Sequence, residues 1–298
     1  MTLRLLTAGE SHGPALVAVL EGLPAGLALD VDLINRDLAR RQHGYGAGPR
    51  MKLESDQVQI LSGVMAGLTT GGPLALQVQN SDHARWKGKP VTALTTPRPG
   101  HADLAGAVKY GYNDLRPSLE RASARETAAR VAAGAVCRAY LASFDISVQG
   151  YVAAIGEVSA SLDSIPQAEL FALSLQNEVN CPDAAAAEQM RARIRRAMDE
   201  RDTLGGVIEV LAFGLPVGLG SFAQWDRKLD AHLGRRCFRC RRSKGLKLDR
   251  RLKTAACPAQ KRTTRSAWKA TTWCAPASAR AAWKPGRARA RRSGCGRR

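Results

Sequence analysis

Apolar residues recur along this chain in short runs, separated by turns rich in glycine and proline, and the runs carry two different periods. Strands are expected at Leu3–Thr7, Ala15–Leu20, Val58–Leu61, Leu74–Val78, Ile146–Val152 and Val207–Phe213. From Asp30 to Gln42 the apolar positions Leu33, Ile34 and Leu38 form a helical stripe, with Asp30 placed to cap the first turn. Pro117 suits the opening of a second helix, which only Gly134 interrupts between Ser118 and about Ser143. A third helix, alanine-rich and then basic, is expected over Pro182–Arg201. Strands outnumber helices and do not alternate with them, so the expected class is α+β rather than a doubly wound sheet. There is no internal repeat, P-loop or GxGxxG. The nearest approach, Gly44-Tyr45-Gly46-Ala47-Gly48, precedes no predicted helix.

Charge changes this picture near residue 234. From Arg235 to Arg298, 22 lysines and arginines face one acid, Asp249, which leaves 23 basic and 25 acidic residues for 1–234. The formal charge of +19 therefore belongs to the tail, and the body gives a nucleic-acid reading no support. Five of the seven cysteines (Cys237, Cys240, Cys257, Cys274, Cys295) and three of the five tryptophans also lie there. Three readings of the tail compete. It is a basic arm releasing counterions from a nucleic acid, which makes a nucleic-acid-binding protein the alternative function. It is a zinc site on Cys237-x2-Cys240, Cys257 and Cys274, although the second pair is not closed as CxxC. Or it is translated out of frame, which the near-absence of acids and the scattered Cys, Trp and Arg favour. The expected organisation is thus a body over 1–234 and a largely irregular, basic, low-complexity tail over 235–298.

The body shows no basic stretch followed by a long apolar core and no 18-residue apolar span. A cytoplasmic protein without a membrane partner is expected. Cys137 and Cys181, its only cysteines, fit a reducing compartment.

Three polar clusters stand out. In Gly9-Glu10-Ser11-His12-Gly13 a histidine sits between small residues, accessible and able to move protons near neutrality; a turn histidine without a role is the plainer reading. The loop from Arg40-Arg41 to Arg50 sets glycines beside forked cations suited to phosphate or carboxylate, or is simply a solvated loop. The third runs from Arg98-Pro99-Gly100-His101-Ala102-Asp103 through Arg116-Pro117 to Glu120–Thr127. It reads either as an anion site at a helix start or as ordinary helical charge pairing. None of the three decides a function alone.

Together they resemble the chorismate synthase family. The carrying segments are Gly9-Glu-Ser-His-Gly-Pro-Ala-Leu-Val-Ala-Val-Leu-Glu-Gly-Leu-Pro24, Gly44-Tyr-Gly, Arg50-Met, Ser62-Gly63, Thr70-Gly-Gly-Pro73, Arg98-Pro-Gly-His-Ala-Asp103 and Glu120–Val136. Asp202-Thr-Leu-Gly-Gly206 and Gly214-Leu-Pro-Val-Gly-Leu-Gly220 continue the likeness to about residue 234. Beyond it only Lys244-Gly245 echoes the family, and the glycine-rich and Arg-Ser-Asp segments are missing.

The resemblance implies a β-α-β sandwich that assembles as a homotetramer. It implies conversion of 5-enolpyruvylshikimate 3-phosphate to chorismate and phosphate by 1,4-elimination, with reduced FMN. By position, His12 and His101 match histidines that move protons to the leaving phosphate and to reduced flavin. Arg121, Ala122 and Ser123 match an FMN-contacting stretch, and Arg41 matches an NADPH contact used where the flavin is self-reduced. Arg41, Arg50 and Arg125 are available to orient a substrate bearing two carboxylates and a phosphate. Ala47 stands where the family has a second loop arginine, and Arg241 and Arg242 stand where two flavin contacts should fall. An impaired or poorly folding chain is the expectation.

Overall fold

The computed structural model describes residues 3–46, 54–238, 240, 243–249 and 266–274. In chain order the first half contains β1 (Arg4–Ala8), β2 (Ala15–Glu21), β3 (Ala25–Ala28), α1 (Val31–Gln42), β4 (Val58–Ser62), β5 (Val64–Met65), β6 (Leu68–Thr70) and β7 (Leu74–Gln79). Next come α2 (His83–Trp86), α3 (Asp103–Tyr110), α4 (Arg116–Arg121), a 3₁₀ turn at Ala124–Glu126 and α5 (Thr127–Ala142). The second half has β8 (Ser147–Ile155), β9 (Val158–Ser159), α6 (Leu170–Ser174), α7 (Ala184–Asp199), β10 (Gly206–Leu215), α8 (Leu229–Cys237), β11 (Ser243–Asp249) and β12 (Ser266–Cys274).

Two antiparallel sheets, ordered β1-β2-β7-β4 and β11-β12-β10-β8-β9, carry the fold, and a small sheet β3-β6-β5 flanks the first. Alternation in β2 and β7 puts Leu16, Ala18 and Leu20 opposite Val78, Leu76 and Leu74, so both strands bury the same face. That face receives Ile34 and Leu38 of α1 and the alanines of α5, among them Ala128, Ala129, Ala132 and Ala133. Because alanine projects little beyond the backbone, α5 comes close to β2 and β7 and also touches β8 of the second sheet. Arg138 of α5 donates to both oxygens of Asp37 on α1, at 2.6 Å each, and fixes the helix pair. A second core forms where Ala187, Met190 and Ile194 of α7 pack with Ile155, Val179 and Cys181. The mixed helix-and-sheet class is as the periodicity predicts.

The six expected strands are present, and Asp30 caps α1 by accepting from the Asp32 N–H at 2.8 Å. Two expectations differ. The helix predicted from Ser118 to Ser143 breaks at Ala122-Ser123, where Ser123 is extended (φ −65, ψ 148) and its hydroxyl accepts from the Arg125 N–H. A serine that bonds its own neighbouring backbone competes with the helical ladder, and the break turns Glu120 and Arg125 in different directions. Within the tail, for which no strand was expected, two short segments form β11 and β12. There β12 pairs antiparallel with β10 from Gly206↔Cys274 to Ala212↔Trp268. Backbone pairing does not require an apolar side-chain pattern, so composition conceals such a strand. Arg50, Ala47, Arg241, Arg242 and Cys257, on which the loop-arginine and zinc readings rest, lie outside the described residues.

Candidate active site

The turn joining β1 to β2 is shaped by Gly9, whose φ of +101 and close approach to Ala15 leave no room for a Cβ: one would meet the Ala15 carbonyl oxygen at 2.3 Å. The turn is then fastened from outside. Asn80, at the end of β7, donates through Nδ2 to the carbonyls of Glu10 (3.1 Å) and Gly13 (2.8 Å). Its own Oδ1 accepts from Arg125 Nε at 2.8 Å.

His12 projects from this turn against Glu120 of α4. Its Nδ1 lies 2.7 Å from Glu120 Oε1, and its backbone N–H donates to Glu120 Oε2 at 2.8 Å. Its Nε2 is 3.9 Å from Asp82 Oδ2, and the same Asp82 oxygen accepts from the Trp86 indole N–H at 3.1 Å. The Trp86 ring lies 4.9 Å from the imidazole, tilted by 57°. His83 Nδ1 is 2.9 Å from the His12 carbonyl, which can only accept, so His83 carries its proton there.

These groups border a cavity of about 260 Å³ lined by Glu10, His12, His83, Trp86, Lys87, Arg116 and Glu120, with Gly13 and Val91. Its scale suits one small metabolite. Lys87 and Arg116 give it cations; Glu10 and Glu120 give it acids. Sequence patterning pointed at His12 but missed His83, Trp86 and Lys87. The polar run Asn80-Ser81-Asp82-His83 directly after a buried strand was the available signal.

The remaining expected residues are distributed elsewhere. His101 is exposed, with Nδ1 2.9 Å from the Pro99 carbonyl, and is not part of the cavity lining. Its loop is held by Arg98, which grips fully buried Asp103 through Nε (2.8 Å), Nη2 (2.9 Å) and its backbone N–H (3.1 Å). Those hydrogen bonds from Arg98 pull the Asp103 carboxyl below its ordinary value, against the opposing effect of burial.

Arg121 donates through Nη2 to the Thr7 carbonyl (2.7 Å) and hydroxyl (2.9 Å), beside buried Glu126. Ala122 ends α4 and Ser123 opens the 3₁₀ turn. Arg41 donates to Thr127 Oγ1 at 3.0 Å and Asp56 at 3.1 Å, with only 12% of its side chain exposed. Arg40 turns the other way, to Asn180 and the Gly150 carbonyl, with its guanidinium 4.8 Å from the Phe171 ring centroid. Burial lowers the Arg40 pKa.

Arg125 is more deeply buried than Arg41 or Arg121. It is 6% exposed, and its Nε, Nη1 and Nη2 donate to Asn80, Asp56 (2.5 Å) and the Gln79 carbonyl, with Glu54 at 3.7 Å. A guanidinium whose three nitrogens all donate within the protein braces the turn that carries His12.

An α+β sandwich with a histidine–carboxylate pair at a small, mixed-charge cavity defines the class. The family model for chorismate synthase matches residues 3–271. The chain is 50% identical over 255 residues to the chorismate synthase of Desulforudis audaxviator, covering 83% of this chain and 65% of that one. To the Symbiobacterium thermophilum chorismate synthase it is 52% identical over 266 residues, covering 83% and 67%. A crystal structure of chorismate synthase superposes with a TM-score of 0.73 at 33% identity, covering 92% of this chain and 84% of that one. The chain belongs to the chorismate synthase family, and it spans about two thirds of the length of these two relatives.

Arg125→Ala is expected to cost about 3–5 kcal/mol in urea unfolding, because Asp56 and Glu54 would be left buried without their cation. Asp103→Asn is expected to cost about 1–3 kcal/mol at pH 7, through the charged hydrogen bonds it loses. A carboxyl whose folded pKa is depressed stabilises above its unfolded pKa, and that contribution disappears as pH falls through the folded value. Unfolding midpoints of Asp103→Asn and the unaltered chain should therefore converge in strong acid; a constant gap would refute the assignment.

Proposed function

We propose that the His12 cavity carries out the chorismate synthase reaction, the 1,4-elimination of phosphate from 5-enolpyruvylshikimate 3-phosphate, and that the rate is impaired in this chain. The observation that carries the reading is His12 itself: one ring nitrogen is anchored on Glu120, and the imidazole borders a cavity that also holds Lys87 and Arg116. A trianionic substrate is drawn to those two cations, and its phosphate is the group that needs a proton as it departs. Doubly protonated, His12 donates from Nε2 to the leaving phosphate. Glu120, 2.7 Å from Nδ1, orients the ring, and Asp82 lies 3.9 Å from Nε2. His101, exposed on its Arg98–Asp103 loop, is proposed as the second proton carrier and the one that serves the flavin.

Reduced FMN, when bound, would lend electron density to the substrate as phosphate leaves and would take up the ring hydrogen that the elimination removes. The residues present fit its phosphate and polar ring edge. Arg121 offers a guanidinium 40% exposed at the α4 terminus, with Ala122 and Ser123 forming the adjoining turn. NADPH, with Arg41, is the proposed flavin reductant, Arg50 the further substrate cation, and a homotetramer the assembly. The basic segment is proposed to be translated out of the family's frame, on its 22 cations against one acid from Arg235 to Arg298, with the family match to residue 271 counting against a slip as early as residue 234.

His12→Ala is expected to lower phosphate release from the substrate, assayed with reduced FMN, by about 10²–10⁴-fold. Flavin binding, read by fluorescence, should stay unchanged; full turnover without the imidazole would end this reading. In the coding DNA around codons 230–240, a one-base shift should restore glycine-rich and Arg-Ser-Asp segments. Three continuous frames lacking them would refute the frame-slip proposal.

A further inference from the structure

We infer that Glu120 is a positioning residue that selects the tautomer of His12, and that the break in the helix at Ala122-Ser123 exists to let it do so. This inference rests on the proposed role of His12. The two oxygens of Glu120 do different work on the same residue. Oε2 accepts from the His12 backbone N–H at 2.8 Å, and Oε1 lies 2.7 Å from the ring Nδ1. A third bond joins the same pair of segments, from the Ser11 N–H to the Glu120 carbonyl at 3.3 Å. An ionised carboxylate only accepts, so the Nδ1 facing it carries a hydrogen and Nε2 is left as the nitrogen that exchanges its proton with the cavity.

The geometry makes this choice hard to evade. The backbone N–H is an obligatory donor, so whichever side-chain atom faces it has to be an acceptor. Glu120 has 12% of its side chain exposed and His12 29%, so water competes weakly for either bond. Trp86 flanks the imidazole, and its indole N–H is held by Asp82, whose Oδ2 lies 3.9 Å from Nε2. Had α4 and α5 run on as one helix, Glu120 and Arg125 would keep a fixed helical offset. With Ser123 extended between them, Arg125 turns inward to Asp56 and Asn80 while Glu120 reaches the His12 turn.

The isosteric Glu120→Gln change turns this into a sharp test. The Gln carbonyl has to take the backbone N–H, so its amide NH₂ faces Nδ1 and donates to it. The imidazole is then driven to the opposite tautomer, with its proton on Nε2. The experiment is a two-bond ¹H–¹⁵N spectrum of the full chain labelled at histidine nitrogen, with His12→Gln identifying the His12 signals. The unaltered chain should show His12 with Nδ1 protonated in its neutral form, and Glu120→Gln should show Nε2 protonated. Finding Nε2 protonated in the unaltered chain overturns the inference, whatever any variant does. So does a Glu120→Gln protein that keeps the proton on Nδ1.

Phosphate release separates this inference from the role of His12. In Glu120→Gln, kcat should fall by roughly 10²–10⁴-fold with KM changed little, because orientation is lost rather than binding. A reversed tautomer with unchanged kcat would sink the positioning role. Unchanged turnover in His12→Gln would sink the catalytic reading of the cavity while leaving the tautomer assignment to be judged by its spectrum. Asp82→Asn, which touches the other ring nitrogen, should leave the tautomer as it is; reversal there would transfer the role to Asp82 and overturn the assignment to Glu120.

Discussion

A buried guanidinium holds this site together. Arg125 lies between Asp56 and Glu54, and its Nε reaches Asn80, whose amide in turn ties the carbonyls on either side of His12. Charge buried at this depth is stable only when every donor is engaged, so the geometry of Arg125 leaves little freedom to Asn80, and Asn80 little to the turn that carries His12. Segments widely separated in sequence, around residues 12, 56, 80 and 125, thereby become one rigid unit. Buried among these partners, the arginine helps to set the position of the imidazole.

The alanine-rich α5 serves the same end from the apolar side. Small side chains let the helix seat closely on β2 and β7, which brings its N-terminal turn, with Arg125 and Glu126, up to the ends of the first sheet. The polar network then forms where the strands stop. Glu126 accepts from the Thr7 hydroxyl at 2.7 Å and from Arg130, and Thr7 also takes Arg121. Packing and polar pairing thus converge on one corner of the molecule: close seating sets the distances, and the ion pairs set the directions.

Much of the fold was legible along the chain because period and capping are local. The alternation of Leu74, Leu76 and Val78, and Asp30 before an apolar stripe, each carry their structure within a few residues. His12 was legible for a similar reason, being a titratable group among small residues at a turn. The partners of His12 were not. Glu120 read as one half of an ordinary charge pair on a helix, and Arg125 as a free cation, because a helical offset says nothing about a break two residues away. His83, Trp86 and Lys87 follow β7 and meet His12 only because β7 pairs with β2 in antiparallel register. β12 escaped notice because its pairing with β10 is made by backbone groups common to all residues.

Local patterns along the chain carry the strands, the helix faces, the α+β class, the likeness to the chorismate synthase family and the abrupt change in charge after residue 234, all properties of neighbours in the chain. Tertiary structure alone decided which arginines turn inward, which carboxylate meets the imidazole and where the cavity opens. Those outcomes depend on the desolvation of charges and on contacts between residues about a hundred positions apart, as with His12 and Glu120, and no local pattern encodes either.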